Sequence, residues 1–187
     1  MKTLLLSTSV LLGSLVLAPA SARADIFVGV DVNAAKLVGD GSDAFNIGFG
    51  GNVRGGYALP IPILKIELGA LFRYSRWGLA DVNGMAVDGT LTATDIMVGG
   101  RAGIAFLIKP WVQFFIGYGH LSAESAGQSN GQGGTAVLLG AGLDLISVSV
   151  ISLGVHVDWN KDVIDTMGST QIGSSWVAFG GNLTLTF

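Results

Sequence analysis

The sequence predicts an all-β fold, an eight-stranded antiparallel up-and-down transmembrane β-barrel. Three observations predict it. Half of the 187 residues are hydrophobic, yet beyond the amino terminus no stretch holds the ~18 uninterrupted apolar residues that a membrane helix needs. Eight segments instead alternate apolar with other residues, and the connections between them alternate short and long. A membrane-grade composition without a spanning helix leaves a closed barrel, the other architecture that satisfies every backbone group in lipid.

The amino terminus, MKTLLLSTSVLLGSLVLAPASARA, places basic Lys2 before an apolar run from Leu4 to Leu17 and small residues around Ala22-Arg23-Ala24. This is the three-part layout of a secretory signal peptide. Cleavage is expected after Ala24, giving a signal peptide at 1–24 and a barrel domain at 25–187. The mature chain then carries 8 basic and 13 acidic side chains and no cysteine. Disulfides and thiolate catalysis are excluded, and without a clustered basic face no nucleic-acid partner is expected.

The strands are expected at Ile26–Leu37, Phe45–Leu59, Leu64–Trp77, Leu91–Leu107, Trp111–Ser122, Thr135–Ile146, Val150–Trp159 and Ser174–Phe187. Each reaches the roughly 9–11 residues that cross a bilayer as a tilted strand. Pro60–Ile63, Ile108–Pro110 and Ser147–Ser149 read as tight turns. Val38–Ala44, Gly78–Thr90, Ala123–Gly134 and Asn160–Gly173 are longer and rich in Gly, Ser, Asn and Asp. Short turns toward the periplasm and longer loops outside are the habit of such barrels, which puts both termini in the periplasm.

Parity separates the residues further. One face of the segments carries residues such as Val28, Val30, Phe72, Ile96, Phe114, Leu139, Val157 and Phe179, with no charge among them. The other carries Asp31, Arg54, Lys65, Glu67, Arg73, Asp95, Arg101, Asp144, His156 and Asp158 together with thirteen glycines. Segregation at period two means that one face meets oil and the other does not. Glycine decides which is inside: small residues relieve crowding in a narrow barrel, whereas on a solvated face they would only weaken the strands. Tyr57, Tyr74, Trp111, Tyr118, Trp159 and Trp176 fall near strand ends and are expected in interfacial girdles.

The chain ends SSWVAFGGNLTLTF. An alternating last strand needs no edge protection if it closes on the first. Terminal Phe187, with Leu185, Leu183, Phe179 and Val177 on its face, resembles the carboxy-terminal signature of outer-membrane β-barrel proteins. As a whole the mature chain resembles the OmpA/OmpX-type small-barrel superfamily. That resemblance implies a monomer in the bacterial outer membrane, in contact with outer-membrane lipids and lipopolysaccharide. It also implies assembly through the barrel-assembly machinery, read from Phe187, Leu185, Leu183 and Phe179. The separate peptidoglycan-binding domain of larger OmpA-type proteins is expected to be absent.

The interior charges come to four basic and five acidic residues, near enough to balance to suggest a salt-bridge network. Glu67 is expected close to Arg54, and Asp144 opposite Ser152. Such a network either orders the interior or gates a narrow water path, for which the glycines would leave room; eight strands cannot make a wide porin. His156 and Asp158 could form a proton switch, but two ligands are too few for a specific metal site. Neither GDGSD (Gly39–Asp43) nor DVNG (Asp81–Gly84) has the spacing of an EF-hand, and no phosphate loop is present. No cofactor and no metal are expected.

One enzymatic constellation stands out. His120, Ser122 and Glu124 share a parity with Tyr118, so all face outward near the outer interface. They could serve as base, nucleophile and orienting carboxylate in acyl transfer. Outer-membrane lipid A deacylases resemble this in their lipid-facing His-x-Ser pair, which there lies on a later strand and precedes Asn; here Ala123 follows. His120 and Glu124 are also about 13 Å apart along a strand. The expected function is therefore a non-enzymatic envelope protein serving membrane integrity or surface contact, with a narrow channel and a lipid A deacylase as alternatives.

Overall fold

The computed structural model describes residues 24–61, 63–81, 88–104, 108–125, 127–148, 150–164 and 172–187. The signal-peptide reading of 1–24 lies, but for Ala24, outside the described residues, as do Val82–Gly84 and Ala105–Leu107. The strands are β1 Asp25–Val38, β2 Gly48–Ile61, β3 Leu64–Gly78, β4 Gly89–Ile104, β5 Lys109–Ser125, β6 Gln128–Val148, β7 Ile151–Ile164 and β8 Ile172–Thr186. They form a closed barrel in sequence order, every neighbouring pair antiparallel. A single 3-10 turn, Ser42–Ala44, interrupts the connection from β1 to β2.

Closure reaches the last residue. β8 pairs with β1 from Phe27↔Thr186 to Val38↔Ser175, and Phe187 exchanges both backbone hydrogen bonds with Ile26 at 2.8 and 3.0 Å. No sheet edge remains along that seam to recruit other chains. The outward face is the apolar one: Val32, Phe49, Ile96, Val112 and Phe179 are exposed, while Arg54, Glu67, Arg73 and Asp95 are buried.

Following cross-strand partners once around the barrel runs Phe27, Gly56, Gly69, Gly99, Phe115, Leu138, Asn160, Trp176 and back to Leu37. The return from 27 to 37 is a stagger of ten residues, which tilts the strands by about 40°. This inward row also shows how the interior fills. Glycines line one wall where Phe115, Leu138 and Trp176 cross from the other. Gly56 and Gly69 approach so closely that a Cβ on Gly56 would stand 2.0 Å from the Leu68 carbonyl oxygen, so no larger residue fits.

Several expectations change. Ala123–Gly134 is not a long loop: β5 and β6 continue as a paired ribbon to Ser125↔Gln128, turning at Gly127 with φ +76. Its polar, glycine-rich composition reflects a hairpin standing clear of the bilayer. The Asn160–Gly173 connection is likewise shortened, because β7 runs on to Ile164. Asp144 faces Gly154, and Ser152 faces Ser147; an irregularity between Asp144 and Ile146 shifts the pairing by one residue. Phe45 precedes β2 and makes only an isolated bridge to Leu79. Trp111 and Trp176 leave the girdle for the interior, 5% and 0% exposed.

Candidate functional site

Every inward charged side chain sits where the period of two points it, and the arginines organise the rest. Toward the end with the short turns, Arg101 on β4 reaches Asp144 on β6 at 2.5 Å. Trp111 Nε1 and Asn182 Nδ2 donate to the same carboxylate oxygen at 3.0 and 3.2 Å. The Arg101 guanidinium lies 3.7 Å from the Trp111 ring centroid, so a cation–π contact covers its face. Lys65, Glu67, Lys109 and Asp144 border the small space left there.

Next inward, Arg54 Nη1 donates to Glu67 at 2.8 Å and Nη2 to Thr184 Oγ1 at 2.5 Å, with Asp31 3.7 Å from Nε. Lys65 holds the other Glu67 oxygen at 2.8 Å. Gln113 donates to Asp158 at 2.8 Å, and His156 Nε2 stands 3.4 Å from the same carboxylate. The glycines here hold side chains, not free space. A Cβ on Gly29 would meet the Arg54 guanidinium at 2.8 Å, and one on Gly140 would stand 1.9 Å from Asp158 Oδ1.

An apolar layer of Leu71, Met97, Phe115, Ala136 and Leu138 separates these groups from a third cluster. There Arg73 donates to Asp95 at 2.5 Å, to Asn160, and to Asp162 at 3.3 Å. Its guanidinium lies 4.6 Å from the Trp176 ring. Asp162 and Asn160 were missed from the sequence because both fell in an assumed loop; their parity with Asp158 was the available signal. One cation thus faces two carboxylates inside the barrel.

Beyond Arg73, toward the end with the longer connections, an apolar cluster fills the interior. Trp77 and Trp176 meet edge to face at 5.1 Å and pack with Ala35, Leu37, Ala93, Leu121 and Ala178, with Phe45 and Leu91 against them. Trp77 Nε1 satisfies its polarity on the Ala35 carbonyl at 3.0 Å. The interior is therefore layered as charge, apolar side chains, charge and an aromatic cap.

The outward constellation is not assembled as a triad. His120 and Glu124 are exposed on β5, but Ser122 Oγ lies 3.2 Å from Ser129 Oγ on β6. The His120 ring leans over Gly131, its Nε2 2.5 Å from where a Cβ there would stand. Among the described residues no hydrogen bond links His120, Ser122 and Glu124. Nor does any group of three His, Cys, Asp or Glu side chains suited to a metal occur among them.

Residues 8–180 match the family model described as outer membrane protein beta-barrel domain. Among solved structures, Neisserial surface protein A superimposes with a TM-score of 0.62 at 15% identity, covering 87% of this chain and 97% of that one. Ail, the attachment invasion locus protein of Yersinia pestis, gives a TM-score of 0.54 at 14% identity, covering 88% and 99%. No curated protein sequence matches significantly. At these identities the likeness is one of fold.

Proposed function

The chain belongs to the outer membrane protein β-barrel family, and from that premise we propose that it is a sealed, non-enzymatic barrel of the bacterial outer membrane that contributes to envelope integrity. One observation carries this reading: among the described residues the interior charges are bounded by the Leu71–Met97–Phe115–Ala136–Leu138 layer and by the Trp77–Trp176 cluster beyond Arg73. A water path would have to cross that cap, where Trp77 Nε1 is bound to the Ala35 carbonyl, and the apolar Leu71–Phe115–Leu138 layer.

Chemistry at the outer rim is not part of this function. A nucleophilic serine needs its base within hydrogen-bond reach, and Ser122 spends its contact on Ser129. The exterior is built for hydrocarbon. A shallow groove of ≈ 620 Å³ between Ala102, Val112, Ala141, Val157 and Phe179 crosses the lipid-facing wall, a place for acyl chains. Barrel-assembly machinery remains the proposed partner of the Phe187, Leu185, Leu183 and Phe179 face during biogenesis, and the assembled barrel acts as a monomer.

A strain lacking the chain is expected to become sensitive to detergent and to leak periplasmic enzymes. Wild type and Ser122→Ala should restore it equally, with identical lipid A masses. Loss of rescue together with an altered lipid A mass in Ser122→Ala would overturn the non-enzymatic reading. An intact envelope in the deletion strain would overturn the integrity role.

A further inference from the structure

The short-turn end of the interior gathers more cation than anion. Lys109, expected within a tight turn, instead opens β5 on the inward parity of Trp111 and Gln113. It lies directly across from Asp144 and gives one N–H to Ser147 Oγ at 2.7 Å. With Arg101 and Lys65 it borders a small space whose acidic lining is Glu67 and Asp144. Three cations thus meet two carboxylates. Asp158, further inward, lies outside this space and accepts from Gln113 at 2.8 Å.

Both carboxylates are already committed. Glu67 takes Arg54 and Lys65, each at 2.8 Å, and Asp144 takes Arg101, Trp111 and Asn182. The donors are not used up. Arg101 is 5% exposed, yet its Nη1 has no acceptor among the described residues. Lys109 keeps two N–H groups after serving Ser147. A guanidinium nitrogen buried without an acceptor is costly, and buried charge persists where it is paired. Lys65 offers less, because it holds Glu67 and borders Asp25 on its other side.

The size of the space selects the ligand. Its free volume is ≈ 10 Å³, about one water-sized sphere, which excludes phosphate and sulfate and admits a monatomic anion. We infer that this space is a halide site, filled by chloride in ordinary salt and held by Arg101 Nη1 and Lys109 Nζ. The Trp111 ring backs the same guanidinium at 3.7 Å and fixes its plane. A water there would accept from Arg101 but leave the excess of positive charge standing, whereas a halide answers both. The apolar Leu71–Phe115–Leu138 layer lies further along the interior, so the site is a dead end and opens no path through the barrel.

The test uses the mature protein refolded into detergent micelles. Bromide quenching of tryptophan fluorescence is the readout, with sodium gluconate holding the ionic strength. Bound bromide sits beside Trp111, so wild type should show a saturable quenching component that sodium chloride displaces and sodium phosphate does not. Lys109→Gln, at a partly exposed position, should need about tenfold more bromide. Arg101→Gln should lose the component altogether; should that variant fail to fold, Lys109→Gln decides alone. Quenching that only rises linearly, an unchanged component in Lys109→Gln, or displacement by phosphate as effective as by chloride overturns the site. Each of these results leaves the sealed barrel standing, because the site stops short of the apolar layer.

Discussion

Arg73 carries a concentrated electrostatic load in this barrel, because its guanidinium serves Asp95, Asp162 and Asn160 at once. Removing one partner of a buried ion pair leaves uncompensated charge, which costs about 3–5 kcal/mol. Arg73→Ala should lose that much in urea unfolding from lipid vesicles. Arg73→Met combined with Asp95→Asn and Asp162→Asn should lose less than half of it, since the stranded charges go too. Ile63 offers the opposite case: a β-branched residue at φ 72 in the tight turn after β2. Ile63→Gly should raise stability by about 1 kcal/mol. The inward charges were legible because parity alone sorts them. Trp111 and Trp176 were misplaced because nearness to a strand end was weighed above parity, although each shares its parity with an interior polar residue, Gln113 and Asn182 respectively.

Among the elements, the seam between β1 and β8 depends on the terminal residue. Phe187 supplies two backbone hydrogen bonds to Ile26 and an outward ring that is 68% exposed. Deleting it should slow assembly in cells, read as accumulation of the unfolded, heat-unmodified band, while Phe187→Tyr should assemble normally. Gly56→Val should prevent closure of the β2–β3 ribbon, because no side chain fits against the Leu68 carbonyl. The strands crossing the bilayer were legible because lipid imposes the period of two. That constraint stops at the headgroups. The β5–β6 ribbon beyond Leu121 is built mostly from Ser, Gln, Asn and Gly, and hydrogen bonding between its two arms, invisible in composition, is what makes it strand. The pairing shift near Asp144 was hidden for a related reason: Leu145 and Ile146 are both outward, and two apolar neighbours read as either phase.

At the scale of the whole molecule, an interior of paired charge and packed carbon gives an eight-stranded barrel a core, which its outward face cannot supply in lipid. Of the thirteen glycines that left the channel alternative open in the sequence, six, Gly29, Gly48, Gly103, Gly119, Gly140 and Gly142, lie against arginine, carboxylate or tryptophan side chains, and most of the others against the backbone of the next strand, which only the coordinates of both walls together could show. The central claim is that this interior is a plug. Single-channel recording of the refolded mature barrel in a planar bilayer, with insertion verified independently, tests it most directly beside an Arg54→Ala variant. The account predicts a silent wild type. Reproducible conductance steps whose size changes in Arg54→Ala would contradict it and make the charged interior a gate.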